Sequence, residues 1–230
     1  AQLERASEAL TLLDGLPRTL DAEHAVQAAH ARVTVLRELG RVDDAIAAAH
    51  VALALPALAD AERANLLDSL VMAEHLAGRL ALASAHCEEA IALCERLGDA
   101  QGLARGHSRR GTFLLEMGQA AEAEAELLQA AEHFSRLGLV GNQRGTLFNL
   151  CCLYSAQGRP ERVLAAARQC WALQPALPHC ELRVMVRLAF VDAQLALGDL
   201  GAAWEHAAPV VDEAQRIREP VAVAGTATAV

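Results

Sequence analysis

No lysine occurs in the 230 residues; all 20 basic side chains are arginine. A phosphate-binding loop of the lysine-bearing type and any Schiff-base chemistry are therefore excluded from these residues. Aromatic side chains make up only 3% of the chain and β-branched residues are thin, so the residues that favour strands are scarce. No apolar run approaches the roughly 18 to 20 residues that a membrane helix needs, and no charged segment precedes a short apolar core at the start. Cys-x-x-Cys, His-Glu-x-x-His, Gly-x-Ser-x-Gly and glycine-rich phosphate loops are all missing from the sequence, which removes the common local signatures of zinc, hydrolase and nucleotide sites. Positive charge is also in deficit: 29 acidic residues give a net charge of −9, the opposite of the surplus that displaces counterions from nucleic acid.

What remains is a chain rich in alanine and leucine, 53% apolar overall. These residues enter helices at least cost, and an all-α protein is the expectation. Cys87, Cys94, Cys151, Cys152, Cys170 and Cys180 fall inside helical patterns of a chain large enough to build a core without crosslinks, so free thiols in a reducing cytoplasm are expected. The sequence does not begin with methionine, and we expect it to be a piece of a longer protein.

An internal repeat organises the rest. Leu39-Gly40-Arg41, Ala77-Gly78-Arg79, Met117-Gly118-Gln119, Gln157-Gly158-Arg159 and Leu197-Gly198-Asp199 recur at intervals of 38, 40, 40 and 40 residues. Each glycine stands between two segments of helical periodicity, where positive φ can end one helix and start the next. Five positions after each glycine come Ala45, Ala83, Ala123, Val163 and Ala203; twelve after come Ala52, Ala90, Ala130, Cys170 and Val210. Sites seven apart share a helix face, and small side chains there let helices approach closely. The spacing predicts helices over 2–14, 22–39, 42–55, 60–77, 80–97, 101–117, 120–137, 142–157, 160–174, 179–197 and 200–218, with a last one beginning near 221. As hairpins these form repeats 22–58, 60–98, 101–138, 142–176 and 179–218, flanked by partial helices in 1–16 and 221–230.

The pattern resembles the tetratricopeptide repeat (TPR). Gly111 and Tyr154 occupy that family's small and aromatic first-helix positions, Leu150 its leucine, Gly118 and Gly158 its turn, Ala123 and Ala130 its small second-helix positions, and Pro175 its terminal proline. Val163, Cys170 and Val210 depart from alanine, and the period is about 40 rather than 34. That looks like the extended variety found in large bacterial ATP-dependent transcriptional activators of the maltose-activator type and in cell-polarity adaptors. The resemblance implies an α-solenoid of about five repeats, each a pair of antiparallel helices, with partial helices at both ends, wound as a right-handed superhelix with first helices lining a concave surface.

By analogy with the family, that surface carries Gln27, His30, Thr34 and Arg37, then Asn65, Asp68, Met72 and His75, then Arg105, Ser108, Arg109 and Thr112. It continues with Phe148, Asn149 and Cys152, and with Met185, Leu188 and Asp192. The family often uses an asparagine at the position of Asn149 to hydrogen-bond a bound peptide backbone, and Arg105 and Arg109, four apart, could grip a carboxylate or phosphate. The binding candidates are Arg37, Asp68, Met72, Arg105, Arg109, Thr112, Phe148 and Asn149. Glu122, Glu124 and Glu126 read as a solvated fan, Trp171 and Trp204 as packing residues. No catalytic, cofactor or metal residue is expected. The resemblance implies a cytoplasmic, non-enzymatic scaffold for a protein or peptide partner or a small-molecule effector, set in a larger bacterial regulator; the net charge and the lack of long apolar runs lead us to expect no direct contact with nucleic acid or membrane. An enzyme with a cysteine or metal site, and an architectural self-association module, are the alternatives.

Overall fold

The computed structural model describes residues 2–17, 22–55, 58–173 and 181–218. Among these, every regular element is helical: α1 (Gln2–Asp14), α2 (Ala22–Glu38), α3 (Val42–Leu53), α4 (Asp60–Leu76), α5 (Leu80–Leu97), α6 (Ala100–Glu116), α7 (Ala120–Arg136), α8 (Val140–Ala156), α9 (Pro160–Ala172), α10 (Glu181–Ala196), α11 (Leu200–Ala207) and α12 (Val210–Arg218). The chain divides into two compact units, residues 1–138 with α1 to α7 and residues 139–230 with α8 to α12.

The hairpin turn is made by backbone alone. At Gly40 (φ 71°), Gly78 (φ 72°), Gly118 (φ 76°), Gly158 (φ 63°) and Gly198 (φ 79°) the chain enters the left-handed region. Each time the glycine N–H donates three residues back and the next N–H five residues back, as in Gly40 to Arg37 (3.0 Å) and Arg41 to Leu36 (2.9 Å). This Schellman arrangement satisfies carbonyls that the helix end would leave open. Arg41, Arg79, Gln119 and Arg159 then lead into the second helices with no side-chain cap, whereas Asp199 accepts from the Ala202 N–H at 3.0 Å.

Within the first unit α2 packs on α3, α4 on α5 and α6 on α7, and each second helix also packs on the first helix of the following hairpin. Val33 and Leu36 of α2, Ala45, Ile46 and Ala49 of α3, and Leu70 and Ala73 of α4 form one buried cluster; Cys87 and Ile91 of α5 meet Val71 and Phe113 in the next. Two glycines let α6 approach both neighbours. A Cβ on Gly106 would sit 2.5 Å from Ile91 Cγ1 of α5, and one on Gly111 would sit 2.7 Å from Leu127 Cγ of α7. In the second unit α8 packs on α9 and α10, and α10 also on α9, α11 and α12, with Leu150, Leu153, Val163, Ala167, Cys170, Val186 and Phe190 buried.

The small-residue register holds at nine of ten positions: Ala45, Ala52, Ala83, Ala90, Ala123, Ala130, Val163, Cys170 and Ala203 are buried, and Val210 is half-buried. The exception has a cause. The helix expected over 200–218 is broken into α11 and α12 by Pro209, whose ring cannot sit beside the carbonyl four residues back and whose nitrogen donates nothing. Pro175, Cys180, the start of the helix expected from 179, the end of the one expected to 174, and the helix expected from 221 lie outside the described residues.

Candidate functional site

The first-helix stripe of the first unit is crossed by an ion pair and a histidine–carboxylate contact. Arg109 of α6 pairs with Asp68 of α4, and His75 of α4 lies 3.0 and 3.1 Å from the two carboxylate oxygens of Glu116 on α6, with its ring 5.0 Å from that of Phe113. Burial, and next the positive charge of Arg37 on α2, bring the Arg109 guanidinium down to about 10; burial and the same arginine lower His30. Arg37, Asp68 and Arg109 are thus within electrostatic reach across three successive first helices. Arg109 has its carboxylate already, so a ligand anion would have to compete with Asp68. Arg105 is half-buried and borders a crevice of about 10 Å³ with Asn65 and Asp68. The Thr112 hydroxyl donates to its own helix at the Ser108 carbonyl, 2.9 Å, and Thr34 likewise to His30, 3.1 Å. Met72 is half-buried on α4. Gln27, His30 and Asn65 border an open cavity of about 250 Å³ between α2 and α4, lined also by Val26, Ala31, Glu62 and Leu66.

The stripe of the second unit is of another character. Phe148 and Cys152 of α8 and Met185, Leu188 and Asp192 of α10 line one cavity of about 490 Å³, together with Cys151, Ser155, Ala156 and Ala189. Met185 is 43% and Leu188 45% exposed, high for large apolar side chains, and a cleft of this volume falls in the range of ordinary ligand sites. Asn149 is half-buried on α8, one residue along from Phe148. Arg105 and Arg109 belong to the first unit and Asn149 to the second.

Several polar groupings escaped the sequence reading. Glu126 is not part of a solvated fan: it takes His107 Nδ1 at 2.6 Å and Arg110 together, and Arg110 also reaches Glu88 at 2.6 Å. Burial raises the Glu126 carboxyl, but the His107 hydrogen bond and the Arg110 charge outweigh it and hold it below its ordinary value. Glu74, 1% exposed, meets His86 Nδ1 at 2.8 Å. In the second unit Arg183 and Arg187 of α10 lie over the Trp171 ring at 5.1 and 4.6 Å and donate to Glu213 of α12 at 3.1 and 2.9 Å. The spacing of Arg183 and Arg187 is visible in the sequence; their carboxylate, 26 to 30 residues away beyond a proline, is not. Trp171 is the expected packing residue, whereas Trp204 is 71% exposed.

The described thiols, Cys87, Cys94, Cys151, Cys152 and Cys170, are free, and all but Cys152 are buried. Burial above all pushes Cys87 and Cys151 up to about 12, far from the thiolate a nucleophile needs. Among the described residues no three His, Cys, Asp or Glu side chains gather as a metal set.

No family model matches the chain, and no curated protein matches it either. Solved structures do match. The chain is similar to BtubC (BKLC) from P. vanneervenii at a TM-score of 0.79 and 15% identity, over 95% of this chain and 92% of that one. It is similar to a Podosopora anserina protein of nearly identical TPR-like repeats, described as a kinesin light chain, at 0.71 and 15%, over 87% and 100%. The apo form of RapI matches at 0.70 and 13%, over 95% and 94%. The fold is therefore that of the TPR-like helical-repeat proteins. No helix among the described residues is long and apolar enough to cross a membrane.

Proposed function

We propose that this chain is a non-catalytic TPR-like scaffold whose α8–α10 cleft receives an apolar side chain from an extended segment of a partner protein. The observation that carries the reading is that one cavity of about 490 Å³ is lined by Phe148, Cys152, Met185, Leu188 and Asp192, residues that the family resemblance assigns to a ligand-facing stripe. Apolar walls supply affinity by removing surface from water, and Asp192 at the margin favours a peptide with a basic residue beside its apolar anchor. The ion-paired stripe of α4 and α6 offers orientation more than burial. The resemblance to activators of the maltose-activator type extends the reading: the chain would be the sensor or docking region of a larger cytoplasmic, bacterial regulator, with occupancy biasing contacts to domains elsewhere.

The test is an array of immobilised nine-residue peptides probed with the purified protein and with Leu188→Glu. Peptides pairing a large apolar residue with a basic one should be enriched, and the variant should bind them at least about tenfold more weakly, the scale for a buried contact at an interface centre. Equal binding by the variant, with unchanged circular dichroism, would remove the cleft from the account.

A further inference from the structure

The α8–α10 cleft is graded along its length, and the grading selects the side chain it takes. Phe148 and Leu188 stand ten residues before their turn glycines, Gly158 and Gly198, and Cys152 and Asp192 stand six before them; Met185 lies a turn beyond Leu188 on one side and Ser155 a turn beyond Cys152 on the other. One end is therefore walled by an aromatic ring, a branched aliphatic and a thioether, while the other carries a hydroxyl and a carboxylate. The four residues from Leu188 to Asp192 span about 6 Å of helix. Ser155 and Asp192 are both exposed, and among the described residues neither side chain has a hydrogen-bond partner. A leucine or phenylalanine would fill the apolar end and offer no donor to these oxygens. A lysine would bring a donor, but would lay methylenes where the Phe148 ring and the Met185 sulfur favour an aromatic neighbour. A flat apolar body with a donor at its far end meets both ends at once.

We propose, resting on the reading of this cleft as the docking site, that the anchor it receives is a tyrosine of a partner protein, its ring between Phe148 and Leu188 and its hydroxyl donating at the Ser155 and Asp192 end. A carboxylate has about four acceptor sites, so Asp192 can accept from the phenol and still face the basic neighbour. The chain does not supply this anchor itself. Its single tyrosine, Tyr154, is 5% exposed, and the segments outside the described residues contain neither tyrosine nor tryptophan. Of the two tryptophans, Trp171 is packed on Phe190, and a second copy could offer only Trp204, 71% exposed. Glu205 stands beside it and would bring a like charge toward Asp192, which disfavours that pairing.

The probes are four soluble nine-residue peptides, alike except for tyrosine, phenylalanine, leucine or lysine at the anchor, each with one neighbouring arginine, titrated calorimetrically into the intact chain. The tyrosine peptide should bind at least about fivefold more tightly than the phenylalanine one, the scale of one hydrogen bond, and at least about tenfold more tightly than the leucine and lysine ones. In the double variant Ser155→Ala with Asp192→Ala, both at exposed positions, the tyrosine and phenylalanine peptides should become equal. Equal binding of those two by the unchanged chain, a tighter leucine or lysine peptide, or a tyrosine preference that survives the double variant would overturn the tyrosine; the cleft would still stand as the docking site wherever Leu188→Glu weakens binding. No binding by any of the four, or binding indifferent to Leu188→Glu, would overturn both. Concentration-dependent self-association that Trp204→Asp abolishes and excess tyrosine peptide reverses would place a second copy in the cleft, against the proposal.

Discussion

Gly111 shows how a single missing side chain sets a helix spacing. Its Cα faces Leu127, which is fully buried and cannot swing away, at a distance no Cβ would tolerate. Gly111→Ala should overpack α6 against α7 at a cost of about 1 to 3 kcal/mol, which on balance exceeds the about 1 kcal/mol that alanine recovers in helix propensity. Thermal unfolding should shift down by a few degrees, and an unchanged or higher midpoint would mean that the helices part freely. Asp68 is the other informative residue. Asp68→Ala leaves Arg109 beside Arg37 with its carboxylate gone, and since both partners are part-exposed the loss should be about 1 to 2 kcal/mol, between an exposed pair and a buried one. Denaturant titration of Asp68→Ala, and of Asp68→Ala with Arg109→Met, checks this: the double variant should recover most of the loss. At this scale the sequence is partly legible. Small positions follow from arithmetic on the turn glycines, but Glu126 could not be told from its neighbours Glu122 and Glu124, because its partners are fixed by how α6 lies on α7.

Among the elements, α12 is held by charge. Burial would raise the Glu213 carboxyl, but the hydrogen bond and charge of Arg187, with those of Arg183, hold it below the ordinary value of 4.5. A carboxylate depressed in the folded state contributes stability that is fully present above its unfolded pKa and lost as pH falls through the folded one. The α12–α10 contact should therefore weaken only on acidification below the ordinary carboxylate range. Trp171 fluorescence in a Trp204→Phe background should follow that transition, and Glu213→Gln should remove its acid limb; an identical profile in the variant would assign the transition to another group. The helix limits themselves were readable to within a residue or two from α1 to α8, because glycine turns and apolar periodicity coincide there. They failed at 200–218, where the repeat register argued for continuity and Pro209 decided otherwise.

For the molecule as a whole, the two stripes of first-helix residues differ in kind: α4 and α6 are bridged by Asp68–Arg109 and His75–Glu116, while α8 and α10 leave an apolar cleft. The stripe follows from the family resemblance once the turn glycines set the register, but which part closes on itself depends on pairs 41 residues apart in sequence. The joint between paired helices has a broader consequence. Because it is a backbone hydrogen-bond arrangement around one left-handed glycine, it makes almost no demand on the side chains around it. The turn itself then requires a particular residue only at the glycine, and the other demands on a hairpin come from burial and close approach between helices. One fold can therefore be held by chains that share few residues, as TM-scores of 0.70 to 0.79 at 13 to 15% identity illustrate.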